Sequence, residues 1–176
     1  KSTIEDLYIM IKVKLKLQNK QAILDKIKSI KSSSYSAVKN GVSSYDTSYD
    51  YSKDKEFHPV LDGFLKAAGP EFGILDFWFN IYGPNGYVEP HSHSKFNLGG
   101  TLRSGVYYIQ KPINSGNLVL NNKLIKVEED DMVLFNSDLL HYSEPNKSNQ
   151  DRVIFSCNLA KGYKKVLQNK KWVLKQ

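Results

Sequence analysis

Three histidines and one arginine stand at spacings that could build a metal site with an anchor for an anionic ligand. His91 and His93 are one residue apart, His141 follows His91 by fifty residues, and Arg152 lies eleven beyond His141. Residues i and i+2 of a strand project from one face, so a His-x-His run delivers two imidazoles together. A third ligand has to come from elsewhere, and His141 is the candidate; His58, beside Pro59 at a helix start, is read as structural. The run Glu144-Pro145-Asn146-Lys147-Ser148-Asn149 is turn chemistry centred midway between His141 and Arg152. It predicts a hairpin that brings those two residues close. A guanidinium near a metal with open positions suits a ligand that chelates the metal at one end and carries a carboxylate at the other, and 2-oxoglutarate is such a ligand. Imidazole suits iron and zinc alike. The arginine favours Fe(II), because a zinc hydrolase needs a polarised water rather than a second anchoring point.

These residues have to be carried by strands. From Gly73 onward, short β-branched and aromatic runs are separated by turn clusters, which predicts strands near 74–82, 87–93, 103–110, 117–121, 123–127, 132–136, 139–143 and 151–159. Eight strands is the count of a jelly roll. On the last of them Val153, Phe155, Cys157 and Leu159 alternate with Arg152, Ile154, Ser156 and Asn158, so the mixed face is expected to line the site. Asn80, Ser104 and Tyr107 hold positions compatible with the same cavity, and Ser156 stands beside Arg152 on the mixed face. Upstream, 9–17 alternates apolar residues with lysine as an edge strand does. Asn19 is placed to cap a helix running to about Lys31 with Ile23, Ile27 and Ile30 on one stripe, and His58-Pro59 opens a second helix that Gly69-Pro70 stops. Both helices must bury their stripes against a sheet. Residues 32–55, rich in Ser, Tyr, Asp and Lys, read as a long loop; its tyrosines either pack on the body or line a substrate groove, and it is the candidate lid. The chain is expected to form one domain, 1–176, with an N-terminal part (1–72), a jelly-roll core (73–160) and a basic tail (161–176) that adds an edge strand or a partner contact.

The set Trp78-Phe79-Asn80-Ile81-Tyr82-Gly83, Gly86-Tyr87, His91-Ser92-His93, Ser104-Gly105-Val106-Tyr107-Tyr108-Ile109, Pro112, Ser115-Gly116, His141 and Arg152 resembles the small 2-oxoglutarate/Fe(II)-dependent oxygenases of the prolyl-hydroxylase-like superfamily. The resemblance covers roughly 72–160. It implies a mainly β fold, the double-stranded β-helix (a cupin-like jelly roll), with the two N-terminal helices packed on one sheet. It further implies Fe(II) held by His91, His93 and His141, 2-oxoglutarate as co-substrate anchored by Arg152, a hydroxyl contributed by Tyr82, and hydroxylation of an acceptor with release of succinate and CO2. Most of the superfamily places a carboxylate where this chain has His93. Glu89 and Asp138 are the carboxylates near enough in sequence to join the ligand set. For Arg152 the alternative is an ion pair with Glu144.

The formal net charge is +7, from 25 basic and 18 acidic residues, yet only Arg103 and Arg152 are arginines. Base-edge and bidentate phosphate contacts favour arginine, so a specific nucleic-acid reader is not expected and the lysines are read as a solvated surface. Cys157 is the single cysteine, which rules out an intrachain disulfide and cysteine metal sites. No apolar run is long enough to span a bilayer. A cytoplasmic protein is expected, acting on a peptide or a small molecule. Gly99-Gly100 reads as turn punctuation rather than a phosphate loop. Two rival readings remain: a cupin-like three-histidine dioxygenase that ignores 2-oxoglutarate, and an inactive jelly-roll binding module.

Overall fold

The computed structural model describes residues 10–47, 49–93, 102–162, 164–168 and 171–175, the last two stretches by backbone alone; the Gly99-Gly100 turn lies outside the described residues. In chain order the elements are β1 (Ile11–Lys14), α1 (Lys20–Ile27), β2 (Val38–Ser43), α2 (His58–Ala68), β3 (Phe72–Val88), β4 (Leu102–Gln110), β5 (Leu118–Leu120), β6 (Lys123–Ile125), β7 (Asp131–Asn136), β8 (His141–Ser143), β9 (Arg152–Lys161), β10 (Lys164–Gln168) and β11 (Lys171–Lys175). A six-stranded sheet runs β1-β7-β4-β9-β3-β2, a three-stranded sheet runs β6-β5-β8, and β10-β11 pair with each other. This is the mainly β, jelly-roll architecture with two N-terminal helices. No helix among the described residues is long and apolar enough to cross a membrane.

Strand alternation divides the apolar residues into two cores. Val153, Phe155, Cys157 and Leu159 of β9 join Phe79, Tyr107 and Leu134 against Ile23 and Ile27 of α1 and Val60, Leu61 and Phe64 of α2. On the opposite face, Ile154, Val106, Tyr108, Val133 and Phe135 meet Leu118 and Leu120 of the smaller sheet. The second layer is where a cavity opens. Helix and sheet pack closely at Gly105, where a Cβ would lie 2.6 Å from Phe64 Cε1 and 2.8 Å from Cys157 Sγ. Gly105→Ala should therefore destabilise the protein by about 1–3 kcal/mol, the usual range for overpacking, as a lower urea midpoint at unchanged m-value.

Several expectations are corrected. The helix from Asn19 ends at Ile27 rather than near Lys31, and Asn19 does not cap it with its side chain: Asn19 Nδ2 donates to Glu56 O at 3.1 Å. The 32–55 loop contains β2, which pairs with β3 at the sheet edge, and a 3-10 turn at Tyr51–Lys53. Val-Lys-Asn-Gly-Val-Ser lacks a two-residue apolar period because an edge strand is held mainly by backbone bonds, and its register slips between Lys39 and Gly41. The strand expected at 87–93 stops at Val88; beyond it His91 forms an isolated bridge with His141, and His93 N donates to Ser137 O at 2.8 Å. The tail forms its own β10-β11 hairpin and not an edge strand of either sheet.

The His141–Arg152 hairpin is also overturned. β8 pairs with β5, with His141 opposite Leu120, whereas β9 lies between β4 and β3 in the other sheet. Residues 144–151 therefore cross between sheets. Turn chemistry marks a reversal but does not decide whether the flanking strands pair with each other. The crossing is fastened by Asn146, fully buried, whose Nδ2 donates to Gln150 O at 2.7 Å and Tyr82 O at 3.1 Å while its Oδ1 accepts from Ser148 N at 3.0 Å. It still sets Arg152 against β8.

Candidate metal and anion site

The three histidine rings converge. Their centroids are 5.4 Å apart for His91 and His93, 4.2 Å for His91 and His141, and 5.1 Å for His93 and His141. One nitrogen from each lies within 4.8 Å of the others, a spacing one cation can span. Each Nδ1 is engaged by the protein: His91 with Glu89 O at 2.7 Å, His141 with Leu139 O at 2.8 Å, and His93 with Asn158 Oδ1 at 2.8 Å. Since a carbonyl oxygen only accepts, these contacts select the Nδ1–H tautomer and make Nε2 the nitrogen that could coordinate a metal. Burial, with the neighbouring His91 and His93, pushes His141 down to about 3, and burial also lowers His91. Neutral imidazole is the form that coordinates a metal. Neither Glu89 nor Asp138 joins this cluster among the described residues; the Glu89 carboxylate pairs with Lys39 at 3.4 Å.

Arg152 occupies the same cavity, of about 300 Å³, and is only 1% exposed. The expected alternative, an ion pair with Glu144, does not form. Nη1 donates to the backbone oxygens of Ser115 and Glu144, and Nη2 to Ser143 Oγ at 2.9 Å. The Glu144 carboxylate instead accepts from Asn117 N at 2.9 Å. The guanidinium lies 4.6 Å from the centroid of the Tyr82 ring, and its Nε is buried with no partner. Burial lowers the Arg152 pKa from its ordinary value, against the opposing pull of Tyr82, Tyr108 and Glu144. No carboxylate among the described residues lies within ion-pair distance of this cation.

The other sequence candidates divide by strand parity. Asn80, Tyr82, Ser104 and Ser156 line the cavity. Asn80 Nδ2 donates to Tyr82 Oη at 2.9 Å, leaving Asn80 Oδ1 buried without a partner. Ser104 Oγ lies 3.1 Å from His93 Nδ1 and donates to Ser137 Oγ at 3.0 Å. Tyr107 is a correction: it faces the helices, and its hydroxyl donates to Leu15 O at 2.9 Å. Three positions from Ser104, it must point to the opposite side of β4. Tyr108, not Tyr107, lines the cavity from this part of β4, as parity with Ser104 requires. Asn158 lines the site as expected of the mixed face of β9, and Ser143 and Trp78 belong to it without having been singled out in the sequence. Of the loop tyrosines, Tyr35 and Tyr45 reach the cavity, whereas Tyr51 packs into the helical core.

No protein-family model matches the chain, and no curated protein matches it in sequence. Solved structures do match in fold. A prolyl-4-hydroxylase from Pseudomonas putida superposes with a TM-score of 0.66 at 15% identity, covering 88% of this chain and 94% of that one. HygX from Streptomyces hygroscopicus, solved with nickel and 2-oxoglutarate bound, gives 0.69 at 9% identity over 98% and 94%. A viral collagen prolyl hydroxylase from Paramecium Bursaria Chlorella virus-1, in complex with 2-oxoglutarate, gives 0.62 at 15% identity over 86% and 96%. The chain thus has the fold of the 2-oxoglutarate/Fe(II) oxygenases, in agreement with the resemblance carried by its motifs.

Proposed function

We propose that the protein is a 2-oxoglutarate- and Fe(II)-dependent dioxygenase that hydroxylates a peptide or small-molecule acceptor, with His91, His93 and His141 as metal ligands and Arg152 as the co-substrate anchor. The observation that carries this reading is a buried guanidinium with no carboxylate partner among the described residues, in the same cavity as the histidine cluster. An uncompensated charge so deeply buried is costly by several kcal/mol, and a carboxylate ligand removes that cost. The orphaned Nε offers a charged donor to one carboxylate oxygen, while Nη2 is held by Ser143 Oγ at 2.9 Å and, more loosely, by Gly86 O at 3.5 Å. The donor set fits the metal too, because three neutral imidazoles of fixed tautomer present one nitrogen each.

When bound, Fe(II) and 2-oxoglutarate supply the coupling of oxidative decarboxylation, to succinate and CO2, with oxidation of an acceptor C–H bond by O2. The chain's own residues bind and orient. Arg152 holds the far carboxylate of 2-oxoglutarate, and Tyr82 and Tyr108, which flank it, contribute hydroxyls. With no carboxylate among its ligands, the site leaves the metal's charge to be balanced by the dianionic co-substrate. Tyr35, Tyr45 and Trp78 form an aromatic rim, with centroids 5.3 Å apart for Tyr35 and Tyr45 and 4.8 Å for Tyr45 and Trp78. This rim packs against the acceptor and screens the cavity from water.

Anaerobic titration of the apoprotein with Fe(II) and then 2-oxoglutarate tests the assignment. A visible metal-to-ligand charge-transfer band that needs both components, and succinate release on admitting O2, are expected. O2 uptake indifferent to 2-oxoglutarate would instead identify a three-histidine dioxygenase, and absence of metal binding an inactive module.

A further inference from the structure

His93 differs from the other two histidines in what holds it. His91 and His141 give their Nδ1 protons to backbone carbonyls, which are neutral and fixed in direction. His93 meets a side-chain amide, Asn158 Oδ1 at 2.8 Å, and an amide can turn over to present its NH2 group. What prevents that is Asp76, whose Oδ2 accepts from Asn158 Nδ2 at 3.1 Å. A carboxylate only accepts, so the amide must turn its NH2 to Asp76 and its oxygen to His93, and His93 must then carry its proton on Nδ1. The hydroxyl of Ser104, 3.1 Å from the same nitrogen, gives its one proton to Ser137 Oγ and so also accepts from Nδ1, a weaker support in the same direction because a hydroxyl can rotate.

The backbone is shaped to make this contact. β3 and β9 are in register with Ile74 opposite Leu159 and Asp76 opposite Asn158, so Leu75 is skipped as a bulge. Without the extra residue Leu75 would face Asn158. The bulge puts the carboxylate there instead and leaves Leu75 42% exposed. Bulges beside functional sites often re-aim a side chain in this way.

We infer that Asp76 is a positioning residue that, through Asn158, fixes the direction of the His93 hydrogen bond and so keeps Nε2 of His93 unprotonated, the form that coordinates a metal. It also supplies a negative charge two hydrogen bonds from a ligand set that contains no carboxylate. Asp76 is solvent-exposed, so its charge is screened and its main contribution is directional. The inference rests on the metal-ligand assignment proposed above, but half of its test does not.

In 15N NMR of the apoprotein, His93 is expected in the Nδ1–H tautomer. Asp76→Asn removes the acceptor-only group with little change in shape, and the His93 tautomer should become mixed while His91 and His141 keep theirs. Co(II), a spectroscopic stand-in for Fe(II), should bind this variant about tenfold more weakly, the lower end of the range for lost outer-shell partners. Asp76→Glu should keep both properties close to wild type. An unchanged His93 tautomer in Asp76→Asn overturns the inference, whether or not Co(II) affinity shifts. If wild-type protein fails to bind Co(II), the metal assignment falls, and the tautomer measurement still decides whether Asp76 directs His93.

Discussion

A His141→Ala chain should bind Co(II) or Fe(II) more than about 100-fold more weakly than wild type, a loss beyond the 10–100-fold typical of an outer-shell partner. Succinate release should fall to background. His141 is 6% exposed and lies edge-on to the Phe135 ring at 4.8 Å, so truncation removes packing as well as a ligand. The fold should survive, because the chain here is held by backbone pairing: His141 N donates to His91 O at 2.9 Å and His91 N to His141 O at 3.0 Å. Those bonds do not involve the imidazole. Circular dichroism and the urea midpoint check that survival, and metal titration of the folded variant reads the loss. His58→Ala provides the contrast. Its ring is bonded to Ser52 O at 2.9 Å, outside the cluster, so metal affinity should stay within about threefold of wild type. Metal binding by His141→Ala within tenfold of wild type would remove His141 from the ligand set and leave a site of two ligands.

The meeting of the three histidines was legible in part from their type and spacing. The i, i+2 spacing of His91 and His93 anticipated that their rings would meet, although both lie beyond the end of β3 rather than on a strand, and β9 divides into an apolar and a mixed face by strict alternation. The same rule, applied loosely, misplaced Tyr107: on β4 it cannot share the side of Ser104, and the cavity receives Tyr108. Pairing between distant strands was less legible. The turn at Asn146 announces a reversal, but only the finished sheets decide that β8 goes to β5 and β9 to β3 and β4. β2 escaped detection because Val38–Ser43 contributes an edge, where backbone bonds substitute for an apolar stripe. Asp76 was the hardest to foresee. Regular pairing would place Leu75 opposite Asn158, and a one-residue bulge is a property of the sheet register that no local pattern of Ile74-Leu75-Asp76 announces.

Arg152→Met should raise the 2-oxoglutarate requirement far more than it disturbs the metal. Removing one partner of a buried charge pair costs roughly 2–5 kcal/mol, which corresponds to about 30-fold to several thousand-fold in affinity. Arg152→Lys should fall between, since an ammonium keeps the charge but loses the planar fork. Arg152 also has a structural duty, because its Nη1 binds the backbone oxygens of Ser115 and Glu144 and joins the 112–115 turn to the start of the sheet crossing. Leaving those acceptors unmatched should lower stability by about 1–3 kcal/mol, even as the methionine relieves the buried charge. The two duties separate experimentally. If the arginine were only a clamp, Arg152→Met would shift the urea midpoint while the folded variant, saturated with Fe(II), bound 2-oxoglutarate as wild type does. If it is the anchor, Co(II) affinity measured without 2-oxoglutarate should stay within about threefold of wild type, because the three imidazoles do not depend on the guanidinium. The charge-transfer titration should then shift to much higher 2-oxoglutarate concentrations, and that pairing of results is what a co-substrate anchor predicts and a structural clamp does not.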